Sequence, residues 1–168
     1  MRKMSIMIYS HKIQPLAAAA RTVQQWKDSG EQIVFTNGCF DLLHYGHIQY
    51  LDEARALGDR LVVGLNASAS VSRLKGPHRP VNDEQSRSHI LAALSMVDLV
   101  VIFEEDTPLH LIETFLPDFL VKGGDWKPEQ IVGSDVVLQH GGEVRSLPFA
   151  DGYSTTNLEQ KILLSRSC

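Results

Sequence analysis

Thr36-Asn37-Gly38-Cys39-Phe40-Asp41-Leu42-Leu43-His44-Tyr45-Gly46-His47 is the stretch that decides the fold of this chain. The apolar run Ile33-Val34-Phe35 before it has strand character, and from Gly46 to Leu57 apolar residues recur at helical spacing. The stretch is therefore a strand-to-helix turn. A helix start exposes unpaired N–H groups and the positive end of the macrodipole, and two histidines three residues apart stand at this one, a setting that suits an oligophosphate.

On the N-terminal side of the turn, Pro15 and the alanines up to Ala20 predict a helix to about residue 27, closed by Asp28-Ser29-Gly30. On the C-terminal side a second apolar strand spans 61–65, and strand, helix, strand in this order imply a parallel pair with a crossover. Residues 67–80 carry Ser, Lys, Gly and Pro without clear periodicity and read as a long loop, of a kind that is often functional. Asn82-Asp83 can cap a helix through Ala93, a strand follows at 99–103, and Thr107 can cap a helix to about Phe115 that Pro117 stops. Further strands at 119–121 and 143–147 flank a short helix at 134–140, and Ser154 opens a terminal helix containing Leu158, Ile162 and Leu163.

This alternation predicts an α/β fold: a single Rossmann-like domain over residues 15–168, with a five-stranded parallel sheet and helices on both faces, behind a loosely defined leader at 1–14. Ligands of such sheets bind at the carboxyl ends of the strands, near the topological switch. Every unusual motif here has that position: the histidine turn, Asn66 with the segment after it, Glu104-Glu105-Asp106, Lys122-Gly123-Gly124-Asp125, and Gly152-Tyr153-Ser154-Thr155-Thr156.

A length of 168 residues suits one domain, and a net charge of -4 with 43% hydrophobic residues suits a globular protein and excludes broad, charge-driven binding of nucleic acid. Met4-Ser5-Ile6-Met7-Ile8-Tyr9 is too short for a signal-peptide core, and no stretch has the length of a transmembrane span, so a cytoplasmic protein without a membrane partner is expected. Cys39 and Cys168, the only cysteines, support neither a disulfide framework nor a cysteine zinc site. Cys39 near a helix start could be an activated thiol or a small residue filling the turn, and phosphate chemistry needs no covalent intermediate.

His44 and His47 can donate hydrogen bonds to phosphoryl oxygens and stabilise charge that shifts during attack on phosphorus. His-x-x-His without a third ligand is a poor zinc signal, so no protein metal site is expected. Lys75 and Arg79 can clamp phosphates or simply make an exposed loop basic. Ser154, Thr155 and Thr156 offer hydroxyls and free N–H groups at a second helix start, as a phosphate cradle, a cap or both. Lys122 and two permissive glycines follow a strand directly, where backbone can approach a ligand, although a solvated Gly-Gly turn has the same sequence.

His44-Tyr45-Gly46-His47 in its Thr-Asn-Gly-Cys-Phe-Asp context resembles the HxGH signature of the nucleotidyltransferase superfamily. With Arg73-Leu74-Lys75-Gly76, Arg79-Pro80-Val81-Asn82, Phe103 to Pro108, Val121 to Asp125 and Asp151 to Asn157, the chain resembles one branch of it, the adenylyltransferases acting on D-glycero-β-D-manno-heptose 1-phosphate. The resemblance implies transfer of AMP from ATP to the sugar phosphate, giving ADP-heptose for lipopolysaccharide core synthesis and pyrophosphate, with Mg²⁺ carried mainly by ATP. It assigns His44, His47 and Lys75 to catalysis. Thr36, Asn37, Gly38, Phe40, Gly46, Arg87, Ser154, Thr155 and Thr156 join the histidines in holding ATP, and Asp41, Asn66, Lys75, Arg79, Lys122, Gly123 and Asp125 hold the sugar phosphate.

Partners are then ATP and heptose 1-phosphate, with homo-oligomer formation compatible with such a domain. A sugar-kinase pattern is absent from these residues, so a separate source of heptose 1-phosphate is expected. The branch usually reads Asn-Ser-Asp-Ala-Ser after the second strand, whereas this chain reads Asn66-Ala67-Ser68-Ala69-Ser70 and has lost that carboxylate. The rival cytidylyltransferases for glycerol 3-phosphate usually carry Arg-Thr-x-Gly where this chain has Phe149-Ala150-Asp151-Gly152. A rival of another class is a regulatory module that binds nucleotide without turnover.

Overall fold

Strands made of unbroken apolar runs must be covered on both faces, and the computed structural model, which describes residues 7–165, shows how this chain does so. The strands are β1 (Ile33–Gly38), β2 (Arg60–Asn66), β3 (Leu99–Phe103), β4 (Phe119–Gly123) and β5 (Glu143–Leu147), all parallel and ordered β3-β2-β1-β4-β5. Around them lie α1 (Leu16–Asp28), α2 (Tyr45–Arg55), α3 (Ser68–Lys75), α4 (Glu84–Ala93), α5 (Leu109–Phe115), α6 (Ser134–Gln139) and α7 (Thr155–Ser165).

Alternate side chains of each strand point to opposite faces, which divides the core in two. Phe35, Val62 and Leu99 pack with Ala19 and Val23 of α1 and with Ile112 and Phe115 of α5 on one face. Val34, Leu61, Val63 and Val100 pack with Leu51 and Ala54 of α2 and Leu91 of α4 on the other. At the amino ends of the strands, carboxylates fix where pairing begins: Asp118 accepts from the Ile33 N–H at 2.7 Å and Asp98 from the Leu61 N–H at 2.8 Å. The carboxyl ends are left for loops. After β3 the chain crosses back to place β4 beside β1, so the switch lies between these two strands.

The expected α/β architecture is therefore present, with two local corrections. Residues 68–75, read as loop, form α3. Its serine-rich sequence hides the helical pattern because only Ser70 and Val71 are buried, and Ser70 is satisfied by accepting from Asn66 Nδ2 (3.0 Å) and donating to the Glu105 carbonyl (3.0 Å). At α5 the N-cap position is Pro108, with no side-chain cap bond, so Thr107 does not have the capping role. Asp83 does cap α4, accepting from the Ser86 N–H at 2.6 Å. The end of the leader is tied to the domain: Ile13 bridges Val100 of β3, and Lys12 Nζ donates to the carbonyls of Leu94 and Val97. Residues 1–6 and Cys168 lie outside the described residues. No helix among the described residues is long and apolar enough to cross a membrane.

Candidate active site

The open edge formed by the strands' carboxyl ends holds a cleft of about 730 Å³ that reaches from Asn66, Lys75 and Asp106 on one side to Gly123, Trp126 and Phe149 on the other. Its centre is the turn after β1. Phe40 there adopts a left-handed backbone, φ 43°, a costly conformation for a large side chain, held by its own burial and by contact with the His47 ring at 5.4 Å. Gly46 keeps the turn tight: a Cβ at this position would meet the His44 ring and Tyr153 Cβ at 3.2 Å.

His44 is extended at the N-cap of α2, and its carbonyl accepts from the His47 N–H at 2.9 Å while its own N–H points to His47 Nδ1 at 3.4 Å. The two imidazoles stack, with centroids 3.9 Å apart. Because Nδ1 of His47 faces a donor, the neutral ring carries its proton on Nε2. Burial, the His44 ring and Lys75 push the His47 pKa down to about 4, and burial lowers that of His44. Both histidines are neutral hydrogen-bond donors near neutral pH.

Two cations share the cleft with His47. Lys75 ends α3 and Lys122 lies near the end of β4, and neither has a hydrogen-bond or ion-pair partner among the described residues. Burial lowers the Lys122 pKa, with Cys39 opposing and Lys75 adding to the shift. A bound anion relieves this mutual repulsion. Thr155, in the first turn of α7, also lines the cleft, while Ser154 caps that helix by accepting from the Asn157 N–H at 3.0 Å.

The remaining sequence-derived candidates divide by location. Asn37, Gly38, Phe40, Asp41, Asn66 and Gly123 line the cleft, whereas Thr36, His44, Gly46, Arg79, Arg87, Asp125, Ser154 and Thr156 do not. Thr36 is buried with its hydroxyl 2.6 Å from that of Tyr50, tying β1 to α2. Asp41 accepts from the N–H groups of Val81 and Asn82 and from Arg79. Burial opposes its charge, but those donors outweigh it and hold the carboxyl below the usual range. Arg87 is 1% exposed and donates to the carbonyls of Cys39 (2.9 Å), Asn66 (2.8 Å) and Asn82 (3.1 Å) and to Ser68 Oγ (3.1 Å). Its contacts are thus mainly with the backbone that frames the cleft.

Sequence reading gave no role to two aromatic walls. A Cβ on Gly123 would come within 2.3 Å of the Phe149 ring, and Trp126 Nε1 donates to the Gly123 carbonyl at 3.0 Å, so both rings close over the Gly123-Gly124 turn. The two glycines were the only available signal, since they mark where something large packs against backbone.

A family model for cytidylyltransferase-like proteins matches residues 35–160, from β1 into α7. The chain belongs to the cytidylyltransferase-like family. Its relatives include the "Bifunctional protein HldE" of Geotalea uraniireducens, 60% identical over 151 residues that cover 90% of this chain and 31% of that protein. The HldE of Syntrophotalea carbinolica is 55% identical over 155 residues, covering 92% and 32%. The chain thus spans about a third of the length of these relatives. Among solved structures, the lipopolysaccharide core biosynthesis protein from Thermoplasma volcanium is 30% identical with a TM-score of 0.58, over 74% of this chain and 100% of that one. Pantoate-beta-alanine ligase from Francisella tularensis, at 15% identity and a TM-score of 0.56 over 92% and 77%, shares the fold.

In this cytidylyltransferase-like domain, the arrangement can hold an oligophosphate between the starts of α2 and α7 and stabilise charge on it with neutral donors and two lysines. A resident metal is a different matter. No three His, Cys, Asp or Glu residues among those described are grouped to hold one, and the cleft carboxylates Asp41 and Asp106 are engaged, Asp106 with Arg73 at 2.8 Å.

Proposed function

We propose that this domain is an adenylyltransferase that joins AMP from ATP to D-glycero-β-D-manno-heptose 1-phosphate. The observation that carries the nucleotidyl-transfer chemistry is the convergence of His47, Lys75 and Lys122 on one cleft between two helix starts. The acceptor is supported by the segments shared with the heptose branch and by relatives named HldE. The choice of ATP is supported by Phe149, which stands where cytidylyltransferases for glycerol 3-phosphate usually have arginine.

In this reading an oxygen of the acceptor phosphate attacks the α-phosphorus in line. One P–O bond forms, the bond to the β-phosphate oxygen breaks, and pyrophosphate leaves with that electron pair. The acceptor is already anionic, so no side chain has to remove a proton. His47 Nε2–H and Lys75 meet the charge moving onto the phosphoryl oxygens, while Thr155 and the α7 N–H groups receive the outer phosphates. Lys122 and the Gly123 backbone face the acceptor. ATP would bring Mg²⁺ as part of the substrate, and the ion would offset phosphate charge there. The cytoplasm supplies ATP and is the proposed location.

The test is pyrophosphate release by the purified chain with ATP or CTP against heptose, hexose and glycerol phosphates. ATP with heptose 1-phosphate is expected to exceed every other pair. Preference for CTP and glycerol 3-phosphate, or ATP binding without pyrophosphate release on any acceptor, overturns the proposal.

A further inference from the structure

Arg79 lies outside the cleft lining, and its guanidinium joins two carboxylates. One nitrogen donates to Asp41 Oδ2 at 2.9 Å and another to Glu159 on α7. The Asp41 end is rigid, since that carboxylate also accepts from the Val81 and Asn82 N–H groups and its carbonyl accepts from Asn82 Nδ2. Asp41 stands three residues before His44, so the guanidinium is anchored to the turn that starts α2.

The α7 end is different. This helix of 11 residues has no buried side chain, and Leu164 is 70% exposed. A helix of that length is marginal alone, so its placement depends on its ties to the domain. Its ion pair among the described residues is Arg79–Glu159, assisted by the Tyr45–Tyr153 ring contact at 5.1 Å just before it. The first turn of α7 brings Thr155 into the cleft.

We infer that Arg79 is a positioning residue: through Asp41 and Glu159 it sets the spacing between the helix start at His44–His47 and the helix start at Ser154–Thr156, and thereby the fit of a nucleoside triphosphate. It does not hold the acceptor phosphate. This rests on the proposal that the cleft binds ATP, and ATP affinity needs no acceptor, so an error in the acceptor leaves the test intact.

Mg–ATP affinity of the full chain is measured by calorimetry for wild type, Arg79→Met, Glu159→Gln, Glu159→Asp and the Arg79→Met/Glu159→Gln double variant, with thermal melting as a check on folding. Glu159 is at the surface, so its variants remain folded if Arg79→Met does not. Expected is about three- to tenfold weaker ATP binding for Glu159→Gln, partial recovery in Glu159→Asp, and a double variant no weaker than Arg79→Met. The KM for the sugar phosphate stays unchanged in Glu159→Gln. Wild-type ATP affinity in Glu159→Gln, or additive losses in the double variant, overturns the inference. A wild-type ATP affinity for every variant with a raised sugar-phosphate KM for Arg79→Met alone returns Arg79 to direct phosphate contact. Failure of wild type itself to bind ATP refutes the functional reading first.

Discussion

At His47 the shift of pKa to about 4 and the His44 N–H at Nδ1 fix both charge and tautomer, leaving Nε2–H as the free donor that the proposed reaction uses. His47→Ala is expected to lower turnover about 10²- to 10³-fold, equivalent to about 3 to 4 kcal/mol of transition-state stabilisation, with the fold intact; near-wild-type pyrophosphate release would remove the catalytic assignment. The same residue links folding to pH. Unfolded, it takes up a proton near 6.5, and folded only near 4, so its contribution is complete above pH 6.5 and is lost as pH falls to 4. Denaturant titrations should show wild type losing about 1 to 2 kcal/mol more than His47→Gln across that window, after allowance for solvent screening. Equal slopes would mean that the imidazole titrates normally. Ser68 gives a second case: Arg87 is buried and finds the Ser68 hydroxyl at 3.1 Å, with no carboxylate in ion-pair contact among the described residues. Ser68→Asp is expected to raise the melting temperature by a few degrees by pairing that cation, and a lower value would show that the pocket cannot accept the larger group.

Among the elements, what was legible followed from strong local signals. The apolar strands, the α4 cap at Asp83 and the α7 cap at Ser154 announce themselves through composition and capping chemistry. Helix α3 does not, because its buried Ser70 is satisfied partly by Glu105, 35 residues away, which the β2–β3 pairing brings near. Site residues show the same division. The positions of His47, Lys75 and Lys122 at the cleft were legible because charge and glycine context at strand ends mark them, while the acceptors of Arg79 and Arg87 leave no mark in the sequence. Phe149 and Trp126 required the β4–β5 pairing that brings their loops together. Gly123→Ala tests that wall. The added Cβ meets the Phe149 ring at 2.3 Å, but the ring is 45% exposed and can swing away, so stability should change by less than about 1 kcal/mol while substrate KM rises. A large stability loss with unchanged KM would show that the ring packs for the fold alone.

Over the whole molecule, strand–helix alternation made the parallel sheet legible, but the placement of β4 beside β1 was not, because it depends on which long-range pairing buries more apolar surface. That placement creates the switch and brings Lys122 to the histidine turn. It also separates fold stability from site chemistry, since the layer formed by α1 and α5 has its own cluster on one face of the sheet and α2 starts on the other. Phe115 shows the consequence. It is buried at the end of α5 with its ring 6.1 Å from that of Phe35, and none of the cleft is lined by either side chain. Phe115→Ala leaves a cavity that a close-packed layer refills only in part, so unfolding free energy should fall by about 3 to 5 kcal/mol, read as a lower denaturant midpoint at unchanged m-value. Well below its melting temperature the variant should keep wild-type KM values, because the carboxyl edge is held independently by Asp41, Arg87 and Asn66. A rise in KM for ATP in a fully folded sample would mean that strain in the α1–α5 layer is transmitted through the sheet, and that the two faces act as one unit.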